Sequence, residues 1–207
     1  MRAGAVVLAG GRSSRMGQPK ALLDWHGLTA VEHAVGVVRD GIGGGPVCVV
    51  RAPGQELPPL DAIVVDDPIA FDGPLAALYT GLVALEGKAD VAFACGVDTP
   101  LLGPAFVRAV VRALHKGDDA VVPTIGGRSQ PLLAAYRVRI APRVRALLDD
   151  GAGGLRDIPR TCAVRQVGEW ELISDPELDA ADPRLNAAAN ANTPEEWAAL
   201  LVAAPLA

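Results

Sequence analysis

Short apolar runs alternate with longer helix-forming segments along most of this chain, and this alternation limits the fold more than any other feature of the sequence. Most of the runs are rich in valine, and they lack the polar alternation of strands that face solvent on one side. Runs of this kind are typical of strands that are buried on both faces of a sheet. The predicted strands are Ala5–Leu8, Pro46–Val50, Ala62–Val65, Val91–Cys95, Ala120–Val122 and Leu132–Tyr136.

Helical patterns occupy the segments between these strands. The predicted helices are Thr29–Asp40, Pro74–Leu85, Pro104–Lys116, Ala141–Leu148 and a last helix that begins at Thr193. Alternating strands and helices predict a doubly wound α/β fold with a mostly parallel sheet and helices on both faces. The glycine-rich segments Gly41–Gly45 and Gly151–Gly154 are predicted to be loops within it, so residues 1–207 are expected to form a single domain.

The charge distribution indicates a small anionic ligand. The whole chain carries a net charge of −5, which argues against nucleic-acid binding through bulk electrostatics. The first acidic residue is Asp24, and it is preceded by Arg2, Arg12, Arg15 and Lys20. This local excess of positive charge in an acidic protein predicts a binding site for a small anion near the N-terminus.

Cysteine usage and hydropathy favour an ordinary cytoplasmic protein. Cys48, Cys95 and Cys162 form no CxxC pair, so neither a zinc ribbon nor a dithiol redox site is expected. The N-terminus lacks the pattern of a signal peptide, and no apolar stretch reaches the roughly 18 residues that a transmembrane helix needs. The histidines lack metal-ligand spacing and are expected to be structural.

The segment after the first predicted strand has the composition of an anion-binding loop. Residues 8–20 read LAGGRSSRMGQPK, which combines glycines, serines, arginines and a lysine. Glycines let the backbone turn tightly and bring its N–H groups close to an anion, while the polar side chains add donors and positive charge. The spacing matches neither GxGxxG nor GxxxxGK[ST], which excludes the Rossmann and P-loop motifs. From composition alone, an ordinary glycine-rich turn with solvated arginines is an equal alternative.

This loop resembles the signature LAGGxSxRMGxxK of the MobA-like nucleotidyltransferases, the molybdenum cofactor guanylyltransferases, with every fixed position filled. Further segments resemble motifs of the same family in the same order. They are GPLA at 73–76, CGVDTP at 95–100, QPL at 130–132 and NANTPE at 190–195. The resemblance covers nearly the whole chain. It implies a Rossmann-like nucleotidyltransferase fold and transfer of GMP from GTP to the phosphate of molybdopterin.

The resemblance implies that the loop binds the nucleotide. The residues concerned are Leu8, Ala9, Gly10, Gly11, Arg12, Ser13 and Lys20. Arg15 and Lys20 are predicted to be catalytic, because their positive charge would stabilise the departing pyrophosphate. The Gly10-Gly11 pair is expected to leave room for the edge of guanine, which loop amides and carbonyls would read.

Asp98 follows a predicted central strand and is the predicted ligand of Mg²⁺. A carboxylate at the end of a strand suits this ion, which takes hard oxygen ligands and keeps several waters. Without the loop upstream, an aspartate that hydrogen-bonds its own turn would be the simpler interpretation. The resemblance implies the metal and catalytic roles and also places Asp67 near the base and ribose. For Asp67, a solvated acid at a strand end remains an open alternative.

Other positions carry weaker predictions. Arg51 is a predicted nucleotide-binding residue, but it stands where family members often have an asparagine that can bond the base, so the mode of base recognition is left open. Asn190 and Asn192 are either acceptor-site residues or parts of a turn and helix start. Arg128 and Arg156 follow glycine pairs and are predicted to bind the acceptor's phosphate or pterin through the planar guanidinium, with simple solvation as the alternative.

The predicted mechanism needs no general base. A phosphate monoester carries about −1.5 to −2 charges at neutral pH, so it is already a ready nucleophile. One alternative is a cytidylyltransferase of the same superfamily, in which the loop usually reads AAG where this chain has Ala9-Gly10-Gly11 and an aspartate tends to replace Asn192. Another is a nucleotide-binding module without turnover, against which the presence of both Lys20 and Asp98 argues.

Overall fold

The computed structural model describes residues 1–11, 16–68 and 73–204 of the chain. The strands are β1 (Ala3–Leu8), β2 (Asp24–Trp25), β3 (Leu28–Thr29), β4 (Val47–Arg51), β5 (Ile63–Asp66), β6 (Val91–Gly96), β7 (Ala120–Ile125), β8 (Arg128–Ser129), β9 (Leu133–Arg137) and β10 (Val164–Gly168). The α-helices are α1 (Ala30–Gly41), α2 (Pro74–Ala84), α3 (Pro104–Arg112), α4 (Ala141–Asp149), α5 (Glu169–Leu172), α6 (Pro176–Ala181) and α7 (Pro194–Ala203). Short 3₁₀ turns occupy Lys20–Leu22, Val138–Ile140, Leu155–Arg160 and Asn186–Ala188.

One large sheet organises the fold, with the strand order β10-β7-β9-β6-β1-β4-β5 and β8 added to β7. β1 lies parallel to β4 on one side and to β6 on the other, and β4 is parallel to β5. β9 runs antiparallel to both β6 and β7. The sheet is therefore mostly parallel, as predicted, and the parallel strands all have their carboxyl ends at one edge.

Helices cover both faces of the sheet, because side chains of a buried strand point alternately to opposite sides. In β1, Ala5 and Val7 join the apolar cluster that contains α1 and α3. Val6 and Leu8 join the opposite cluster, which contains α2 and α4. This arrangement confirms the doubly wound α/β prediction, and it accounts for the continuous apolar runs in the sequence.

The structure differs from the predicted elements where polar residues obscure the pattern. Strand β10 was not predicted, because Arg165 and Gln166 interrupt its apolar character, as suits a strand at a sheet edge.

Helix α3 ends at Arg112 rather than continuing to Lys116. Asp118 Oδ2 accepts a hydrogen bond of 2.9 Å from the backbone N–H of His115, which stabilises a turn there instead of further helix.

The C-terminal helix α7 packs near the beginning of the chain. Trp197 on this helix is buried, its ring lies edge-on to Trp25 with centroids 5.4 Å apart, and its Nε1 donates to the Asp24 carbonyl at 2.9 Å. This docking holds the segment that precedes α7 against the sheet edge. In the described part of the chain, every helix is too short or too polar to cross a lipid bilayer.

Candidate active site

A cavity of about 570 Å³ opens where the carboxyl ends of β1, β4, β5 and β6 meet. Such a volume is typical of small-molecule sites, and the edge past the carboxyl ends of parallel strands is where ligands bind in open α/β sheets. The described residues that line it are Leu8, Ala9, Gly10, Gly11, Lys20, Val50, Ala52, Asp67, Gly73, Pro74, Ala77, Gly96, Val97, Asp98 and Leu132. The cavity thus brings together Leu8–Gly11 and Lys20 of the predicted loop with both predicted aspartates.

Asp98 lies directly beyond β6, with its carboxylate folded back over the end of the strand. A Cβ built on Gly96 would lie only 2.5 Å from Asp98 Oδ1, which is closer than non-bonded atoms approach. The absence of a side chain at Gly96 therefore makes space for the carboxylate. Sequence reasoning singled out the aspartate but not this glycine, because the close approach arises from the fold of the turn.

Lys20 opens a 3₁₀ turn and reaches the same end of the cavity. Its Nζ lies 3.6 Å from Asp98 Oδ2 and donates to Asn192 Oδ1 at 2.9 Å and to the Ala191 carbonyl at 3.0 Å. The backbone N–H of Ala191 in turn donates to the Asp98 carbonyl at 2.9 Å. The predicted cation, the predicted metal ligand and the segment before α7 consequently form one cluster.

The segment that holds Lys20 is itself fixed by the cap of α7. Thr193 and Glu196 form a capping box, in which Thr193 Oγ1 accepts from the Glu196 N–H and Glu196 Oε2 accepts from the Thr193 N–H. Glu196 Oε2 also accepts from the Asn192 N–H at 2.6 Å. Asn190 is exposed and does not line the cavity. Asn192 is also exposed and does not line the cavity, so it contacts the site through the hydrogen bond that its Oδ1 accepts from Lys20.

Gly10 is packed against the end of the neighbouring strand. The N–H groups of Ala9 and Gly10 donate to the Val50 carbonyl at 2.9 and 3.2 Å. A Cβ on Gly10 would lie 2.9 Å from the Ala52 nitrogen, so the space beside this glycine is occupied by backbone and is not open to a base. Gly11 has φ of +150° and no described atom within 4 Å of a built Cβ, so open space lies beside Gly11 instead.

Arg51 is turned away from the cavity. Its Nε donates to Asp66 Oδ1 at 2.7 Å, and its Nη1 donates to the Gln55 carbonyl at 3.0 Å. The buried Asp67 does line the cavity, and its backbone N–H donates to the Arg51 carbonyl at 2.8 Å. The guanidinium thus supports the loop behind the cavity wall, whereas Asp67 faces the cavity.

Gln55 lies behind this wall and supports it, although no sequence pattern singled this residue out. Its Nε2 donates to the Ala9 carbonyl at 3.1 Å, and its Oε1 accepts from the Ala52 N–H at 3.0 Å. An uncharged residue in a turn carries no motif or charge signal. Only the fold shows that it joins the ends of β1 and β4.

The remaining predicted residues contribute less to the described cavity. Arg128 on β8 and Arg156 in the Leu155–Arg160 turn are exposed, and neither lines the cavity. Arg12, Ser13 and Arg15 lie outside the described residues, so their roles stay predictions.

His33 and the three cysteines occupy half-buried or buried positions. His33 Nε2 lies 2.9 Å from the Pro100 carbonyl, and burial lowers the pKa of its imidazole. Cys48, Cys95 and Cys162 are all buried, and burial raises the pKa of the Cys48 and Cys95 thiols to about 12. The Cys48 and Cys95 thiols are therefore protonated at neutral pH, and the thiol is a much weaker nucleophile than the thiolate.

The protein ligands at the Lys20 end suit a metal ion that is also coordinated by substrate phosphates and water. In residues 1–11, 16–68 and 73–204, no three histidine, cysteine, aspartate or glutamate side chains are grouped so that they could hold a metal ion. Asp98 offers one carboxylate at the Lys20 end of the cavity. Mg²⁺ is commonly held by one or two carboxylates together with substrate phosphates and water, so the site fits that ion only when a phosphorylated ligand is present.

Comparisons with known proteins show which family and fold this chain shares. A Mycobacterium avium protein named as a probable molybdenum cofactor guanylyltransferase is 37% identical over 170 residues, which are 81% of this chain and 85% of that protein. The crystal structure of molybdopterin-guanine dinucleotide biosynthesis protein A from Archaeoglobus fulgidus superposes with a TM-score of 0.72 at 19% identity and 97% coverage of both chains. A Mycobacterium tuberculosis protein crystallised in complex with manganese superposes with a TM-score of 0.58 at 18% identity, covering 81% of this chain and 88% of that one. Residues 5–167 match the MobA-like NTP transferase domain, and the chain belongs to that family of nucleotidyltransferases.

Proposed function

We propose that this protein transfers GMP from GTP to the terminal phosphate of molybdopterin, with release of pyrophosphate. The observation that carries the proposal is the position of Lys20 and Asp98 at one end of a cavity of nucleotide size. The donor and the acceptor are suggested by the M. avium relative, whose name is probable molybdenum cofactor guanylyltransferase. The product would be the guanine dinucleotide form of the cofactor.

The proposed nucleotide lies along the edge of the sheet. Asp98 follows β6 and Asp67 follows β5, and these strands are separated by β1 and β4. With a strand spacing of about 4.8 Å, the two aspartates are held roughly 14 Å apart. We place the triphosphate beside Lys20 and Asp98, and the base and ribose beside Ala52 and Asp67.

In the proposed complex, Asp98 holds Mg²⁺ together with phosphate oxygens of the nucleotide. When bound, this ion supplies positive charge that offsets the negative charge of the phosphates. The single carboxylate is sufficient because the other ligands would be phosphate and water oxygens. The choice of Mg²⁺ over manganese rests on the family resemblance.

Lys20 is proposed to stabilise the leaving pyrophosphate. Its ammonium is held toward the cavity by Ala191 and Asn192, so little reorganisation is needed as charge develops. An oxygen of the acceptor phosphate forms a bond to the α-phosphorus of GTP, while the bond from that phosphorus to the bridging oxygen breaks. The electron pair leaves with pyrophosphate. No proton has to be removed from the nucleophile, because the phosphate is already ionised.

The direct test is to incubate the purified protein with molybdopterin, Mg²⁺ and each of GTP, CTP, ATP and UTP, and to measure pyrophosphate release. We expect release with GTP above the other nucleotides, together with formation of the dinucleotide. Release with CTP in preference to GTP would contradict guanylyl transfer. Nucleotide binding without release under any of these conditions would indicate a binding module instead.

A further inference from the structure

We propose that Gln55 is a positioning residue for base recognition, because its carboxamide joins the two backbone segments that form the base end of the cavity. The inference rests on the proposed function, since that function places the base and ribose beside Ala52 and Asp67. Gln55 is argued to act through these backbones and not by touching the nucleotide.

The carboxamide makes one hydrogen bond to each segment. Nε2 donates to the carbonyl of Ala9 after β1, at 3.1 Å, and Oε1 accepts from the N–H of Ala52 after β4, at 3.0 Å. Only one orientation of the amide satisfies both partners, because the opposite orientation would place a donor against an N–H and an acceptor against a carbonyl. Ala9 and Ala52 line the cavity whereas Gln55 does not, so Gln55 acts from behind the wall.

The backbone of Gln55 is held by two hydrogen bonds. Its backbone N–H donates to the Ala52 carbonyl at 3.0 Å, which closes the turn. Its backbone carbonyl accepts from Arg51 Nη1, and the same guanidinium is bonded to Asp66 at the end of β5. The position where family members often have a base-contacting asparagine is thus used here to support the turn that carries Gln55.

Movement of this turn would be transmitted to the nucleotide site. The distance of 2.9 Å between a built Cβ of Gly10 and the Ala52 nitrogen shows that the two backbones are in close contact. A base that is read by backbone groups needs those groups at fixed separations, because a displaced donor or acceptor leaves its partner unpaired. The Gln55 carboxamide, which joins Ala9 to Ala52, should therefore affect the affinity and preference for the base more than the transfer of the phosphate group.

The experiment uses three variants of the full-length protein. Gln55→Met keeps the length of the side chain but removes both hydrogen bonds. Gln55→Glu keeps an acceptor for the Ala52 N–H but places a carboxylate oxygen against the Ala9 carbonyl. Gln166→Met is the matched control, because Gln166 accepts a hydrogen bond of 3.1 Å from Thr124 Oγ1 and does not line the cavity.

Calorimetry with GTP and with CTP in the presence of Mg²⁺ gives the affinities, and pyrophosphate release gives kcat and the KM of the acceptor. We expect the Kd for GTP to rise about tenfold in Gln55→Met, which corresponds to a loss of roughly 1.4 kcal/mol of binding free energy. The rise should be at least as large in Gln55→Glu. The preference for GTP over CTP should fall. The kcat at saturating GTP and the KM of the acceptor should stay within about twofold of wild type, as should every parameter of Gln166→Met.

Two results would overturn the inference alone. The first is wild-type GTP affinity in both Gln55 variants. The second is an equal loss of affinity for GTP, CTP and the acceptor together with a lowered Tm, because that result indicates a merely structural role. Failure of the wild-type protein to bind any nucleotide would overturn the proposed function and this inference with it. The two failures are distinguished by the wild-type titration, which does not depend on the variants.

Discussion

Lys20 Nζ lies 3.6 Å from Asp98 Oδ2, although the two residues stand on loops that follow different strands. This distance is too long for a strong hydrogen bond, so the ammonium and the carboxylate neutralise each other without being locked together. In the proposed complex, the ammonium would contact the triphosphate and the carboxylate would contact its metal ion.

Removing the charge of Asp98 should abolish turnover and preserve the fold. Asp98→Asn is nearly isosteric, but a neutral amide is a much weaker metal ligand than a carboxylate. Metal catalysis supplies several kcal/mol, so we expect a loss of about 100-fold or more in pyrophosphate release with Mg²⁺. Asp149→Asn is a suitable control, because Asp149 is paired with Arg145 on the surface. Near wild-type transfer by Asp98→Asn would refute the metal assignment.

Replacing Lys20 by methionine should lower kcat. Loss of one well-placed electrostatic group typically raises the barrier by about 2.7–4 kcal/mol, which corresponds to a kcat lower by about 100-fold to 1,000-fold. Lys88→Met serves as the control, because Lys88 is exposed and its ammonium donates to the Ala84 carbonyl at 3.0 Å, away from the cavity. An effect of Lys20→Met below about threefold in steady-state kinetics would show that this lysine has no role in transfer.

Asn192→Ala tests whether this asparagine positions Lys20 or binds the acceptor. Because Asn192 Oδ1 accepts a hydrogen bond of 2.9 Å from Lys20, we expect kcat to fall about tenfold while the acceptor KM changes little. The double variant with Lys20→Met should be no worse than Lys20→Met alone, since the asparagine would then have nothing left to position. A raised acceptor KM and additive effects would assign Asn192 to the acceptor site instead.

Gly96→Ala should displace the carboxylate of Asp98. The added methyl would lie 2.5 Å from Asp98 Oδ1, so the side chain of Asp98 has to move. We expect pyrophosphate release to fall at least tenfold, with a rise in the Mg²⁺ concentration needed for half-maximal rate. Gly103→Ala is the matched control, because no described atom lies within 4 Å of its built Cβ and its φ is −114°. Equal activity of the two variants would show that the site tolerates a shifted carboxylate.

The sequence alone determined the fold class and the family, and it singled out Lys20 and Asp98 as candidates for the phosphate side of the site. Continuous apolar runs arise because parallel strands are buried on both faces. Each strand therefore shows this pattern within its own residues, and it can be recognised without knowing the rest of the fold. Lys20 and Asp98 could likewise be found from their own segments, since a glycine-rich loop and an acid after an apolar strand are local signals. The family resemblance rests on the same local motifs.

Only the tertiary structure decided which predicted residues face the cavity. It turned Arg51 toward Asp66 and Gln55, joined Lys20 to Asn192, and placed the backbone of Ala52 where a side chain of Gly10 would lie. These contacts join residues from different loops, and their geometry depends on strand order and on how each loop leaves the sheet. A single sequence shows which groups are available at each position, but the distances between such groups arise only when the strands are placed side by side.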